Sequence, residues 1–112
     1  MKIISYYSQT GTDLIEKYIK SLTVVERIDA RNVLNQLKEG QMNTLTIKRW
    51  AGKVMEVYFY KHNRIFYVTA DADNIYLLHV CRKQKNKTEK RDSKLVITRA
   101  KELSRELGKK II

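Results

Sequence analysis

Apolar positions recur along this chain with two periods, helical first and then alternating, before a helical period returns at the end. The run "KIISYY" (2–7) is short and β-rich and predicts an opening strand. "SQTGTD" is a turn. Asp13, with Glu16 three positions on, marks a helix start, and Ile15, Tyr18, Ile19 and Leu22 form an apolar face at helical spacing. Thr23 and Glu26 in "TVVE" have the form of a capping box, in which side chains and backbone N–H groups satisfy one another. The helix it opens carries Ala30, Val33, Leu34 and Leu37 on one face and stops near Gly40. Two adjacent amphipathic helices read as a hairpin that covers one side of a sheet.

Alternation then takes over. "LTIKRW" (45–50) and "KVMEVYFY" (53–60) predict strands, the second with Val57 and Phe59 on one face and Glu56, Tyr58 and Tyr60 on the other. "KHN" is a tight connection to the return strand "RIFYVTA" (64–70). "DADN" is a turn whose Asn suits left-handed geometry. "IYLLHVC" (75–81) is apolar on both faces, as a central strand should be. After a basic stretch, Asp92 or Ser93 caps a last helix with Val96, Ala100, Leu103 and Leu107 on one face, ended by Gly108.

The order is β-α-α-β-β-β-β-α. It predicts an α+β domain spanning residues 1–112: a small, mostly antiparallel twisted sheet with an N-terminal helical hairpin packed on it and a C-terminal helix. The first strand, returning through two helices, is expected to pair in parallel at an edge.

Charge sharpens this picture. The net charge is +11, so an acidic partner is expected. Residues 82–112 hold 12 Lys and Arg against 4 Asp and Glu, so most of the excess lies in the last quarter of the chain. No run has transmembrane length and no apolar signal region follows "MKII", which predicts a cytoplasmic protein without membrane attachment. The single cysteine, Cys81, cannot form an internal disulfide. One cysteine and two distant histidines leave almost no ligands for zinc, so no metal and no cofactor is expected.

The basic stretch "RKQKNKTEKRDSK" (82–94) is either a solvated loop or an anion-binding segment. Both its ends are tethered to packed elements, and Gln84, Asn86 and Thr88 interleave hydrogen-bonding groups with its charges, which favours phosphate. Arg64 opens an otherwise apolar strand. It either snorkels from a sheet edge or holds a phosphate over the open face near Glu56 and Tyr58. The strand tyrosines Tyr58, Tyr60, Tyr67 and Tyr76 are either ordinary β-formers or stacking platforms for bases. His79 reads as a core histidine or a proton shuttle. Cys81 reads as a buried small hydrophobe, and Trp50 near Gly52 as packing over the sheet end.

The order and spacing of "IEKYIKSLTVVERIDARNVLNQLKEG", "KVMEVYFYKHNRIFYV" and "IYLLHVCRKQKNKTEKRDSKLVITRAKEL" resemble the RelE/HigB superfamily of toxins from bacterial type II toxin–antitoxin systems, in its HigB-like, phage-derived branch. Glu56 matches the family's acid, Arg64 the arginine of the return strand, His79 the strand histidine, Lys83 the first loop lysine, and Lys87 with Thr88 the Lys-Thr pair. Tyr58 stands where arginine is usual, Gln84 where a second lysine is usual and Glu89 where proline is usual. The resemblance implies a ribosome-dependent mRNA endoribonuclease needing no metal. Its implied catalytic residues are Arg64, Lys83, Tyr58, Glu56 and His79, with RNA held by Arg82, Lys85, Lys87, Thr88, Lys90 and Arg91. It also implies a cognate antitoxin, a helix-turn-helix DNA-binding protein that carries the complex to operator DNA. The alternatives are a ParE-like gyrase inhibitor of the same fold, a non-catalytic RNA-binding module and an inactivated toxin kept as an antitoxin partner.

Overall fold

The computed structural model describes residues 1–82 and 88–112; Lys83, Gln84, Lys85, Asn86 and Lys87 lie outside the described residues. The elements are β1 (Lys2–Ser5), α1 (Leu14–Lys20), α2 (Val24–Glu39), β2 (Ile47–Ala51), β3 (Val54–Phe59), β4 (Asn63–Thr69), β5 (Asn74–Arg82) and α3 (Lys90–Leu107). The α+β order is the expected one. The strands form one sheet in the order β1-β5-β4-β3-β2. β1 pairs in parallel with β5 at one edge, and the other pairings are antiparallel.

Each face of the sheet is covered by helix. Ile15 and Ile19 of α1 and Ala30, Val33 and Leu37 of α2 pack on Val57, Phe59, Ile65, Tyr67, Ile75, Leu77 and Val80. On the opposite face Val96, Ala100 and Leu103 of α3 pack on Val54, Phe66, Val68, Leu78 and Cys81. The Thr23–Glu26 capping box forms as the sequence predicts. Asp13 caps α1 by accepting from the Glu16 N–H at 2.9 Å.

Several boundaries and orientations differ from expectation. α3 begins at Lys90 with Glu89 as its cap residue, so Asp92 lies in its first turn and neither Asp92 nor Ser93 is the cap. Asp92 is instead engaged by a strand histidine, described below. Tyr60 leaves the strand: with φ 27° it and Lys61 (φ 62°) make the β3–β4 turn. Its ring joins the helical-hairpin side, with Val57 and Phe59 rather than with Glu56 and Tyr58. Asp29 of α2 accepts the Tyr60 N–H and fixes that turn. Asn74 is extended rather than left-handed; the preceding turn is closed by Asp71, whose Oδ1 accepts from the Asp73 and Asn74 N–H groups at 2.8 and 2.9 Å. Arg64 is not at a sheet edge, because β4 is the middle strand of five.

Two bulges shape the α3 face. Trp50 is the extra residue between Arg49 and Ala51 on β2. Leu78 is the extra residue on β5, where Phe66 pairs with His79 and Tyr67 with Leu77. The second bulge lets both Leu78 and His79 face α3, and it sets which side chains line up beyond that helix.

Candidate active site

The register builds two rows of chemistry across the α3 face, from β2 towards β5. Tyr58 on β3 is paired with Arg64 on β4, and Arg64 with Cys81 on β5. One step along, Lys48 on β2 is paired with Glu56, Glu56 with Phe66, and Phe66 with His79. Adjacent strands lie about 4.8 Å apart, so neighbouring members of a row are within side-chain reach. α3 covers the apolar end of this face, and its first turn meets the polar end.

Glu56 is the hub. Its Oε2 accepts from Arg64 Nη1 at 2.7 Å, and its Oε1 accepts from the Tyr58 hydroxyl at 3.3 Å. Arg64 and Glu56 are 2% and 6% exposed. Burial opposes the Arg64 charge, but the Glu56 hydrogen bond and charge outweigh it and hold the guanidinium above its ordinary pKa. Arg64 therefore sits in a buried ion pair and does not snorkel to solvent. Its Nε has no hydrogen-bond partner among the described residues. Its guanidinium carbon also lies 5.3 Å from the Phe66 ring centre.

Lys48 was not foreseen from the sequence. Its ammonium lies 5.4 Å from the centre of the Tyr58 ring, and the residue is exposed. It thus brings an accessible cation to the partly exposed end of the Arg64–Glu56–Tyr58 chain. The signal was available in the alternation of "LTIKRW", but only the strand register places Lys48 beside Glu56.

His79 is engaged at both ring nitrogens. Its Nε2 lies 2.8 Å from Asp92 Oδ1, and its Nδ1 lies 3.2 Å from Arg99 Nη1. Arginine has no acceptor, so Nδ1 accepts and Nε2 carries the proton, which it donates to Asp92. Burial lowers the His79 pKa and Arg99 adds to that, against the Asp92 hydrogen bond, so the neutral ring is favoured. Arg99 also donates to the Leu78 carbonyl at 2.9 Å and stacks 4.3 Å from the Tyr6 ring centre. Cys81 beside this group is buried, and its thiol is pushed up to about 11 by that burial, with the Asp92 charge adding to it.

The remaining candidates are dispersed. Arg82 donates to Glu26 Oε2 at 2.6 Å on the α2 side of the sheet, with about half its side chain exposed. Glu26 is held below the usual carboxylate range, first by the Asn63 amide at 2.7 Å and then by Thr23 and Arg82. Thr88 accepts from Trp50 Nε1 at 3.1 Å, and Trp50 meets Phe66 edge-on at 5.3 Å, so the end of the basic segment is stapled to the site's rim. Lys90 and Arg91 are exposed in the first turn of α3. Lys83, Lys85 and Lys87 fall outside the described residues, in the segment joining Arg82 to Thr88. A groove of about 560 Å³ runs between α1 and the first turn of α3, lined by Tyr18, His79, Cys81, Arg82, Glu89 and Asp92 among others.

No helix among the described residues is long and apolar enough to cross a membrane. No curated protein gives a match to the chain. The family profile described as phage derived protein Gp49-like (DUF891) matches residues 12–101, from the start of α1 to the middle of α3. It therefore takes in both rows of the site, and the chain belongs to this Gp49-like, phage-derived family, a RelE/HigB-like toxin family of toxin–antitoxin systems.

Proposed function

We propose that this protein is the toxin of a toxin–antitoxin pair and a ribosome-dependent endoribonuclease that cuts mRNA. The observation that carries the reading is the Arg64–Glu56–Tyr58 chain, with Lys48 over the Tyr58 ring, on the sheet whose Trp50 donates to Thr88. Cleavage by the RNA itself needs three things: a base for the 2′-hydroxyl, positive charge on the phosphate and an acid for the leaving oxygen. Tyr58 takes the 2′-hydroxyl proton as its own passes to Glu56. The 2′-oxygen bonds to phosphorus, the bond to the 5′-oxygen breaks, and an ammonium of Lys48 or Lys83 protonates that oxygen. The products are a 2′,3′-cyclic phosphate and a 5′-hydroxyl.

In this scheme Arg64 orients the Glu56 carboxylate by its hydrogen bond, and the phosphate charge falls to Lys48, Lys83, Lys85 and Lys87. Arg82, Thr88, Lys90 and Arg91 hold RNA on either side of the segment. His79, engaged at both nitrogens, acts through position: it anchors the first turn of α3 and with it the end of the basic segment. The antitoxin, in the proposal a helix-turn-helix protein that alone contacts operator DNA, finds an apolar strip at Val24, Val25 and Ile28, each more than half exposed.

The burial of Arg64 favours a second reading, in which the face binds RNA through Tyr58 and Lys48 without cutting it. Induced expression in bacteria with mapping of mRNA 5′ ends separates the two. Arg64 is a poor test site because its loss exposes a buried partner, so the informative variants are Tyr58→Phe and Lys48→Ala with Lys83→Ala. The nuclease reading expects growth arrest and new mRNA ends within translated frames for the wild type, and neither for the variants. Arrest with intact mRNA contradicts it.

A further inference from the structure

Counting only cysteine and histidine, the sequence offers almost nothing to a metal. The fold brings a third ligand. His79 and Cys81 face α3 from β5, and Asp92 reaches them from the first turn of that helix. Their ligand atoms all lie within 4.8 Å of one another. We propose that His79, Cys81 and Asp92 form a three-ligand site for a thiophilic divalent cation of the zinc class, with the fourth position open to the groove that Tyr18 and Glu89 also line.

The donor set suits such an ion. Zinc bonds imidazole nitrogen and carboxylate oxygen at about 2.0–2.2 Å and thiolate sulfur at about 2.3 Å, so tetrahedral ligand atoms lie roughly 3.3–3.6 Å apart. His79 Nε2 and Asp92 Oδ1 at 2.8 Å need only spread slightly, and the sulfur needs to close by about an ångström. The three ligands carry two negative charges once the thiol ionises, which matches a divalent cation and leaves the buried site neutral. Three protein ligands and one open position are the arrangement that keeps a site accessible to exchangeable groups.

Binding has a definite proton balance. The Cys81 thiol loses its proton to solvent. The metal takes the Nε2 lone pair, and the imidazole proton moves from Nε2 to Nδ1. There it meets Arg99 Nη1, 3.2 Å away, so Arg99 must leave Nδ1 and keep its Leu78 carbonyl and Tyr6 contacts. Arg99 therefore opposes the metal. The cation takes no part in the transesterification proposed above, and this site stands whether or not that reading does.

The test is titration of the untagged full-length chain with Co2+, then competition with Zn2+. The expected result is one tetrahedral Co2+ per chain with a thiolate-to-cobalt charge-transfer band. Cys81→Ser should abolish the band, and Asp92→Asn should weaken binding. Loss of an outer-shell partner costs about 10–100-fold, so loss of a ligand should cost roughly 100-fold or more. Arg99→Gln should tighten binding, which a merely structural role for Arg99 would not do. Near-UV circular dichroism of each variant keeps misfolding distinct from lost ligation, and Cys81→Ala serves if the serine variant is misfolded. No band at millimolar Co2+, a band that survives removal of Cys81, or binding lost on replacement of His62 instead would overturn the proposal.

Discussion

Replacing Glu56 by alanine tests the framework of the site. The carboxylate accepts from Arg64 at 2.7 Å and from Tyr58 at 3.3 Å, and both members of the ion pair have side chains less than a tenth exposed. Deleting one partner of such a pair leaves the other charge buried and uncompensated, which costs about 3–5 kcal/mol. Arg64 already has an unpartnered Nε among the described residues, so little in its surroundings can absorb the loss. In a domain of about 100 residues each 1 kcal/mol moves Tm by about 4–8 °C, so Glu56→Ala should lower it by roughly 12–40 °C. Urea unfolding monitored by the single tryptophan gives the free energy. The double variant Glu56→Leu with Arg64→Met removes both charges and should recover most of the loss, because well-packed apolar replacements of buried pairs are commonly neutral. A cost below about 1 kcal/mol for Glu56→Ala is the range of an exposed pair, and would refute the reasoning.

Other outcomes follow from the same geometry. The depressed Glu26 pKa means that its stabilising contribution is complete above the ordinary value of 4.5 and is lost as pH falls through the lower folded value. Glu26→Gln should flatten that acid limb in urea titrations, while Arg82→Ala, about half exposed, should cost only about 1 kcal/mol. The lowered His79 pKa places a separate limb below 6.5, where the unfolded chain binds a proton that the folded ring resists. 15N-edited imidazole spectra should therefore show His79 neutral, with its proton on Nε2, at a pH near 6.5. Gly52→Ala should be destabilised by roughly 2 kcal/mol or more, because at φ 55° its new methyl would collide with the Ile111 carbonyl oxygen. Comparison of melting curves checks it.

The element order was legible because local rules act within a few residues: a capping box at Thr23, period-2 alternation in β3, an apolar stripe in α3. The site was only partly legible because it depends on register. Glu56, Tyr58 and Arg64 were visible as neighbours across one hairpin, where sequence distance is short. Lys48 joins them only through the β2–β3 pairing, and His79 faces α3 because Leu78 bulges, which no residue type at that position announces. Asp92 was misread as a cap because an acid before an apolar run commonly is one; its carboxylate is instead held by a strand thirteen residues earlier. The pattern leaves Arg64 either snorkelling or holding a phosphate because a charge in a strand is normally exposed; its burial rests on the Glu56 carboxylate of the neighbouring strand, which pairs with it.

Purified protein on ribosomes programmed with a defined mRNA, with the chemistry of the new ends read by mass spectrometry, tests the central proposal most directly. The account predicts a 2′,3′-cyclic phosphate and a 5′-hydroxyl, formed equally well with a zinc-selective chelator that leaves the ribosome's Mg2+ in place, and lost in Tyr58→Phe while ribosome binding persists. Intact mRNA with bound protein, or ends bearing a 5′-phosphate whose formation a chelator stops, would contradict it.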